Sequence, residues 1–426
     1  MLIARIIRAM HVFTPPGPPG RPHTPATTAP PCPPVTQTSR QTGPRPGGPQ
    51  PLRHLRASRP QPWRQSAAGT PPLAGWMLGQ PEGDPWLVLH GGPGSVAQGG
   101  LLAPFHASQH WAWGLQQRGS GAVASAHTGR AGRWHVDALL ADMEALRQQL
   151  GLAQWSVLGG SWGALVAMAY VQKHPQAVSQ VVLRGPFLGR SADVWRLLNT
   201  VGQVLRMRVS PDSTTTAHGL PALPRQRLLM AAWLAQTHRV LRNATTAPRH
   251  TALVWAWLLA EARLATRGAR RALLHASPGS VAPSPASLRH TWGQMQRQTR
   301  LRSAQQRMGQ QPTPAHTQKV WLQVRVLSRQ CCRALQGGWP LWRRWLDSRP
   351  TAATPHLTLL QGRFDAVCAP ANALHLRGLG TPPTAPHASP PPHAAAPTVS
   401  LQWVHSGHLS DEPAMRRALA QAVAKP

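Results

Sequence analysis

The fold of this chain is decided by residues 155–173, WSVLGGSWGALVAMAYVQK. A short apolar run at 155–158 leads into glycines, and a pattern typical of a helix runs from about Ala164 to Lys173, before His174-Pro175. This order predicts a buried strand, a tight turn and a helix that ends where proline disfavours helical backbone. A strand that runs straight into a helix is the repeating unit of a parallel α/β sheet.

The flanking sequence repeats this alternation. Apolar runs at 86–89, 111–115 and 181–183 predict further strands, and residues 136–150 predict an amphipathic helix that Gly151 ends. Strands return at 357–360 and 399–404, and a last helix is expected around 412–423. Strands and helices that alternate with short connections predict an α/β fold, with a mostly parallel sheet flanked by helices.

The turn inside residues 155–173 carries a candidate nucleophile. Residues 159–163, GGSWG, match G-x-S-x-G, and the preceding strand and following helix are the context that a nucleophile elbow requires. Such a turn exposes the hydroxyl of Ser161, and its flanking glycines let strand and helix pack closely. The alternative is a glycine-rich turn with an idle serine.

A serine hydroxyl needs a base, and the base needs an orienting carboxylate. Asp365 follows the strand at 357–360 and is the candidate acid, whereas Asp411 lies too close in sequence to the candidate base. His408 follows the strand at 399–404 and a flexible glycine, and is the candidate base. His405 is the competing candidate. The order Ser, acid, His is the chain order of this fold class.

A tetrahedral intermediate would need backbone N–H donors for its oxyanion. One candidate donor is the amide of Trp162, directly after the nucleophile. The other lies in the glycine-rich turn at 90–94, HGGPG, where we expect Gly92 and take Gly91 as the alternative. That turn is also compatible with a purely structural role.

Composition excludes several classes of protein. The 426 residues carry a formal charge of +33, and all but three of the 45 basic residues are arginines. Because these arginines form no basic patch with interleaved aromatic residues, we interpret the charge as compositional and expect no specific nucleic-acid partner. The four cysteines are scattered, so we expect no disulfide framework, and because no CxxC or His/Cys cluster occurs we expect no metal site. Acyl-enzyme chemistry on a serine needs no cofactor, so we expect none. No apolar run is long enough for a membrane span.

The chain divides by composition. Residues 1–60 are proline-rich and are expected to form a disordered extension, followed by a core at 75–188. A mostly helical insertion at 189–350 separates this from a second core segment at 351–426, whose residues 380–398 predict a proline-rich loop. We expect a cytoplasmic protein, with an organelle address in the arginine-rich, acid-free N-terminus as the alternative. The oligomeric state is open.

Several motifs resemble those of the proline iminopeptidases, α/β-hydrolase-fold serine aminopeptidases that remove an N-terminal proline. The matching segments are HGGPG at 90–94, QRGSG at 117–121, GGSWG at 159–163, GRFDAVC at 362–368 and SGHLSDEP at 406–413. The resemblance implies an α/β-hydrolase core with an inserted helical cap and no cofactor. It also implies Ser161 as nucleophile, Asp365 as acid and His408 as base.

The sequence departs from this family at the residues that would bind substrate. The family has an aspartate where this chain has Gln116, and its cap carries glutamates that bind the free α-amine of the substrate. The nearest matches are Glu261, displaced within VWAWLLAE at 254–261, and Gln323, an amide in place of an acid. Glu261 is the candidate amine contact; the alternative is a solvated helix residue beside Arg263.

Three functions are compatible with these residues. The first is a prolyl aminopeptidase that releases proline from short peptides through an acyl-enzyme on Ser161. The second is a serine esterase or amidase of the same fold that has lost the amine-binding glutamates and takes a small ester or amide. The third is a non-catalytic basic binding protein on a hydrolase scaffold.

Overall fold

A computed structural model describes most of the chain after its N-terminal segment. The described residues are 52–65, 72–121, 135–206, 230–242, 247–275, 284, 286, 290–293, 310–329, 357–380 and 399–424.

The described strands form one eight-stranded sheet in the order β1-β2-β4-β3-β5-β6-β7-β8. Their bounds are β1 Ala57–Gln65, β2 Leu73–Gly79, β3 Asp84–Leu89, β4 His110–Leu115, β5 Trp155–Gly160, β6 Val178–Arg184, β7 Leu357–Gly362 and β8 Val399–Val404. β2 pairs antiparallel with both β1 and β4, and the pairs from β4 through β8 are parallel. The carboxyl ends of the parallel strands therefore meet at one edge of the sheet.

The described helices fall into two groups. The bounds are α1 Val136–Gln149, α2 Trp162–Lys173, α3 Ser191–Arg206, α4 Met230–Arg242, α5 Ala247–Leu274, α6 Pro314–Arg329, α7 Pro370–Gly380 and α8 Pro413–Val423. α2, α7 and α8 contact the sheet, and α1 contacts α2. α3 to α6 lie between β6 and β7 in the chain and contact one another, so they form the cap.

The central strands are buried on both faces. Leu87 and Leu89 of β3 belong to one apolar cluster, whereas Trp86 and Val88 of the same strand belong to another. Because successive side chains of a strand point to opposite faces, the two clusters lie on the two sides of the sheet. This explains why residues 86–89 of β3 form an uninterrupted apolar run rather than an alternating one.

The expected α/β fold is confirmed, with one correction at its start. We predicted that residues 1–60 form a disordered extension, but the structure places Ala57–Gln65 in strand β1. This strand contains Pro60 and Pro62, and it pairs only with β2 at the edge of the sheet. An edge strand leaves one row of N–H groups without ladder partners, so it tolerates proline. Residues 1–51 lie outside the described residues.

Strand β2 was also not predicted from the sequence. It begins with Leu-Ala-Gly, which lacks the β-branched residues and the apolar alternation typical of a strand. The proline-rich loop expected at 380–398 lies outside the described residues, apart from Gly380 at the end of α7. Within the described part of the chain, no helix has the length and apolarity that a bilayer crossing requires.

Candidate active site

Ser161 occupies the sharp turn between β5 and α2. Its backbone has φ 55° and ψ −121°, and it is the one non-glycine residue with positive φ in the described part of the chain. Such a conformation costs about 1–3 kcal/mol and persists only where its surroundings fix it. The Ser161 amide donates to the carbonyl of Arg184 at 2.9 Å, which ties the turn to the end of β6.

The glycines around Ser161 are required by close backbone contacts. A Cβ at Gly159 would lie 2.4 Å from the carbonyl oxygen of Gly163, and a Cβ at Gly163 would lie 2.3 Å from that of Leu89. No side chain fits at these distances, so only glycine lets α2 approach β5 and β3 this closely.

His408 is paired with Asp365. The distance from His408 Nδ1 to Asp365 Oδ2 is 2.8 Å, and Asp365 Oδ1 accepts from the amides of Val367 and Cys368 at 2.9 Å and 2.8 Å. Because Asp365 is 5% exposed and already accepts two backbone bonds, its carboxylate is fixed in place. A carboxylate at Nδ1 favours the proton on that nitrogen and leaves Nε2 as the basic atom of the ring.

The structure separates the two candidate histidines. Nε2 of His405 lies 3.0 Å from the carbonyl oxygen of Ala272 and 2.6 Å from that of His275, at the C-terminal end of α5. A carbonyl only accepts, so His405 donates there. His408, in contrast, lines the same cavity as Ser161.

The buried side chain of His90 hydrogen-bonds within and next to the turn at residues 90–94, and its ring is neutral. Nε2 of buried His90 accepts from the amide of Gln117 at 3.2 Å, so Nδ1 carries the proton and donates to the Gly91 carbonyl at 3.1 Å. Burial lowers the pKa of His90 to about 4, which keeps the ring neutral near neutral pH.

Both candidate glycines of this turn line the cavity. A Cβ at Gly91 would lie 3.2 Å from the Cβ of Ser161, whereas one at Gly92 would meet Ser95 Oγ at 2.7 Å. Gly92 has φ 62°. Trp162, whose amide is the other candidate donor, begins α2 and also lines the cavity. The choice between Gly91 and Gly92 as donor stays a prediction.

Two glutamines brace this region, and sequence reasoning did not assign them a role. Gln117 Nε2 donates to the His90 carbonyl at 2.8 Å, and its Oε1 accepts from Trp162 Nε1 at 2.9 Å, so it links the two candidate donor segments. Gln116 Oε1 accepts from the Ala97 amide at 2.8 Å. An amide side chain can thus support the segment after this turn, at the position where the resembling family has an acid.

A cavity of about 330 Å³ lies between the elbow and the cap. Ser161 and His408 line it from the core, and Glu261 of α5 and Lys319 of α6 line it from the cap. Asp193 of α3 also lines it, accepts from Asn372 Nδ2 at 3.0 Å, and has its pKa raised by burial. No group of three His, Cys, Asp or Glu side chains among the described residues could hold a metal ion.

Glu261 faces the cavity with both oxygens already paired. Lys319 Nζ lies 2.7 Å from Glu261 Oε2, and Gln323 Nε2 donates to Glu261 Oε1 at 2.8 Å. Trp257 Nε1 donates to Gln323 Oε1 at 2.6 Å, which fixes the amide orientation. The sequence indicated Glu261 and Gln323 separately but gave no sign of Lys319.

Cys368 is a further neighbour that sequence reasoning did not place in the site. Its Sγ lies 3.7 Å from Ser161 Oγ, and burial raises the pKa of its thiol well above the usual value. Burial thus keeps the sulfur as a neutral thiol beside the serine.

Comparisons with known proteins agree with this architecture. The family described as alpha/beta hydrolase fold matches residues 84–264. The proline iminopeptidase of Neisseria meningitidis serogroup A is 40% identical over 135 residues, which cover 30% of this chain and 41% of that protein. The proline iminopeptidase of Xylella fastidiosa strain Temecula1 is 36% identical over 188 residues, which cover 43% of this chain and 56% of that protein.

The chain thus spans between 41% and 56% of the length of these two relatives. The matched region includes the elbow and the turn at residues 90–94, and the sheet order is that of an open, mostly parallel α/β sheet. These findings show that the chain has the α/β-hydrolase fold, and that over the matched segments it is similar to the proline iminopeptidases.

Proposed function

We propose that this protein is a serine hydrolase, a prolyl aminopeptidase that releases N-terminal proline from short peptides through an acyl-enzyme on Ser161. The observation that carries the proposal is the His408–Asp365 pair, of which His408 lines the same cavity as the strained Ser161. The proline iminopeptidase names of the matched relatives support the substrate class.

In the acylation step, Ser161 Oγ attacks the carbonyl carbon of the first residue while His408 Nε2 takes the hydroxyl proton. Asp365 holds the ring and stabilises the imidazolium that forms. The amides of Trp162 and Gly92, or Gly91 as the alternative, receive the oxyanion. As the tetrahedral intermediate collapses, His408 gives its proton to the leaving amine and the ester on Ser161 remains.

In the deacylation step, a water molecule takes the place of the leaving peptide. His408 removes a proton from that water, which attacks the ester carbonyl, and the proton then returns to Ser161 Oγ. Proline leaves as the free acid. The cap helices α3, α5 and α6 border the cavity, which favours short substrates over folded proteins.

A second candidate function is favoured by the contacts of Glu261. Because Lys319 and Gln323 already pair its two oxygens, an incoming ammonium would share this carboxylate with a resident cation. This arrangement favours an esterase or amidase that takes substrates without a free amine.

A substrate panel separates these functions. We expect wild-type protein to release naphthylamide from prolyl-naphthylamide, and an N-acetylated prolyl substrate to be inert. Cleavage of a nitrophenyl acetate together with inertness toward free prolyl substrates would select the second function instead. The control is Ser161→Ala, which keeps the fold and should remove turnover in either case.

The non-catalytic alternative has its own readout. A wild-type protein that is not labelled by a fluorophosphonate and binds DNA with a steep salt dependence would be a basic binding protein rather than a hydrolase.

A further inference from the structure

Glu412 is a buried acid that does not cap its own helix. It occupies the N-cap position of α8 with φ −60° and ψ 133°, yet its side chain makes no capping hydrogen bond. It is 4% exposed. Short side chains such as Ser and Asp normally serve this position, and burying a carboxylate is costly unless it is paired. A reason for this acid must therefore lie outside the helix.

The carboxylate of Glu412 instead grips the loop that carries His408. Its Oε2 accepts from the amide of Gly407 at 2.6 Å, and its Oε1 accepts from the amide of Leu409 at 2.9 Å. These two residues flank His408 on either side. Hydrogen bonds to an ionised acceptor are stronger than neutral ones, so one side chain fixes the backbone both before and after the histidine.

The backbone of His408 has a third restraint. Arg184 Nη1 donates to the His408 carbonyl at 2.6 Å. Glu412 is not among the described residues that line the cavity around Ser161. We therefore expect its carboxylate to act on the site through the loop.

We propose that Glu412, as a carboxylate, is a positioning residue that holds the imidazole of His408 between Asp365 and Ser161. This rests on the proposed serine-hydrolase function. General-base catalysis requires the ring nitrogen within hydrogen-bond reach of the hydroxyl, and a displacement of about 1 Å can cost roughly 100-fold in rate. The proposal therefore concerns kcat and not substrate binding.

Protonation of Glu412 would release part of this grip. Burial raises the pKa of Glu412 to about 7, and the negative charges of Asp365 and Asp411 add to the rise, although the amides of Gly407 and Leu409 oppose it. Arg184 is the cation that faces the same group. A protonated carboxyl presents an O–H to one of the two amides, so one bond is lost as the pH falls through this range.

The pH profile then has a distinctive form. Protonation of Glu412 loosens the loop that holds the proposed base, so wild-type kcat should decrease as the pH falls through about 7. A variant with a neutral side chain at position 412 should lack this component of the pH profile.

The experiment compares Glu412→Gln and Glu412→Asp with Asp411→Asn, which removes one negative charge at the exposed adjacent residue. We expect Glu412→Gln to lower kcat by roughly 10- to 100-fold, to leave KM within about twofold, and to lack the acidic component that Glu412 contributes to the pH profile. Asp411→Asn should keep wild-type kcat at alkaline pH and move the acidic limb to lower pH, because it removes a charge that raises the pKa of Glu412.

Folding is checked by thermal denaturation. If Glu412→Gln does not fold, Glu412→Asp replaces it as the test, since it keeps the charge but is one methylene too short to reach both amides, and its kcat should fall less. A folded position-412 variant with wild-type kcat and an unchanged pH profile, or with a loss confined to KM, would overturn the proposal.

Labelling of Ser161 by a fluorophosphonate separates this proposal from the proposed function. A wild-type protein that is not labelled would refute the hydrolase. A wild-type protein that is labelled no faster than a folded position-412 variant would refute only the role of Glu412.

Discussion

Gly268 of cap helix α5 lies directly against Gly407, the residue before His408. A Cβ at Gly268 would be 3.1 Å from Gly407 Cα, and a Cβ at Gly407 would be 2.4 Å from the amide nitrogen of Ala269. At this point the cap therefore contacts the loop of the proposed base through backbone atoms, with no side chain between Gly268 and Gly407.

Because of this close contact, we expect Gly268→Ala to impair activity, although Gly268 takes no part in the proposed reaction. The added Cβ would lie 2.5 Å from the carbonyl oxygen of Phe364, so helix and loop must separate. We expect a loss of about 1–3 kcal/mol in stability together with reduced kcat, measured by denaturant unfolding and by turnover.

The matched control is Gly378→Ala in helix α7, where an added Cβ meets nothing within 4 Å. Alanine is favoured over glycine inside a helix by roughly 1 kcal/mol, so this variant should be neutral or more stable. If the two variants have equal stability and equal kcat, the contact of Gly268 with the loop before His408 is not tight.

Replacement of the two neighbouring histidines should have opposite results. His408→Ala removes the ring that pairs with Asp365, and we expect kcat to fall by about 10⁴-fold or more. His405→Ala removes contacts with the end of α5 and should leave kcat within about threefold. The rate of hydrolysis of prolyl-naphthylamide, measured for both variants, tests these expectations. A near-normal rate for His408→Ala would show that another residue acts as the base.

Substitution of Lys319 should alter which substrates are accepted. Lys319→Met removes the cation from Glu261 while keeping a side chain of similar length, so the carboxylate becomes available to a substrate amine. We expect kcat/KM for a free-amine prolyl substrate to rise roughly 10-fold, with little change for an acetyl ester.

The variant Glu261→Gln tests the same interaction in the opposite direction, because it removes the carboxylate instead of the competing cation. It should lower the rate with the free-amine substrate and spare the ester. If both variants leave the ratio of the two activities unchanged, the Glu261–Lys319 pair does not contact the substrate amine.

The buried His90 predicts a pH dependence of stability. Its pKa is about 4 in the folded protein and near 6.5 when exposed, so the unfolded chain binds more protons between these values. Stability from this group is present above about 6.5 and is lost as the pH falls toward 4, by roughly 3 kcal/mol in total.

In the variant His90→Asn the side chain at position 90 does not titrate, so the variant should lack this pH-dependent contribution to stability. Its free energy of unfolding, measured by denaturant titration at a series of pH values, should decline less over that interval than that of the wild type. Parallel curves for the two proteins would contradict the assignment of a neutral buried ring.

The local sequence determined the elements around the site. The apolar run, glycines and following helix at 155–173 predicted β5, the turn and α2, because each depends on neighbouring residues and on the spacing of apolar positions. The strands that precede Asp365 and His408 were found in the same way. β1 was missed because proline was interpreted without knowing that the strand lies at an edge.

What the sequence by itself determined was the set of strands β3 to β8, the helices α1, α2 and α8, and a set of candidate site residues, since these follow from short-range pattern. Only the tertiary structure decided that His408, rather than His405, meets Asp365 across 43 residues of chain, and that Lys319 pairs with Glu261 across 58. It also placed the carboxylate of Glu412 on the loop of His408. Contacts of this kind depend on how distant segments pack, and no local periodicity encodes them.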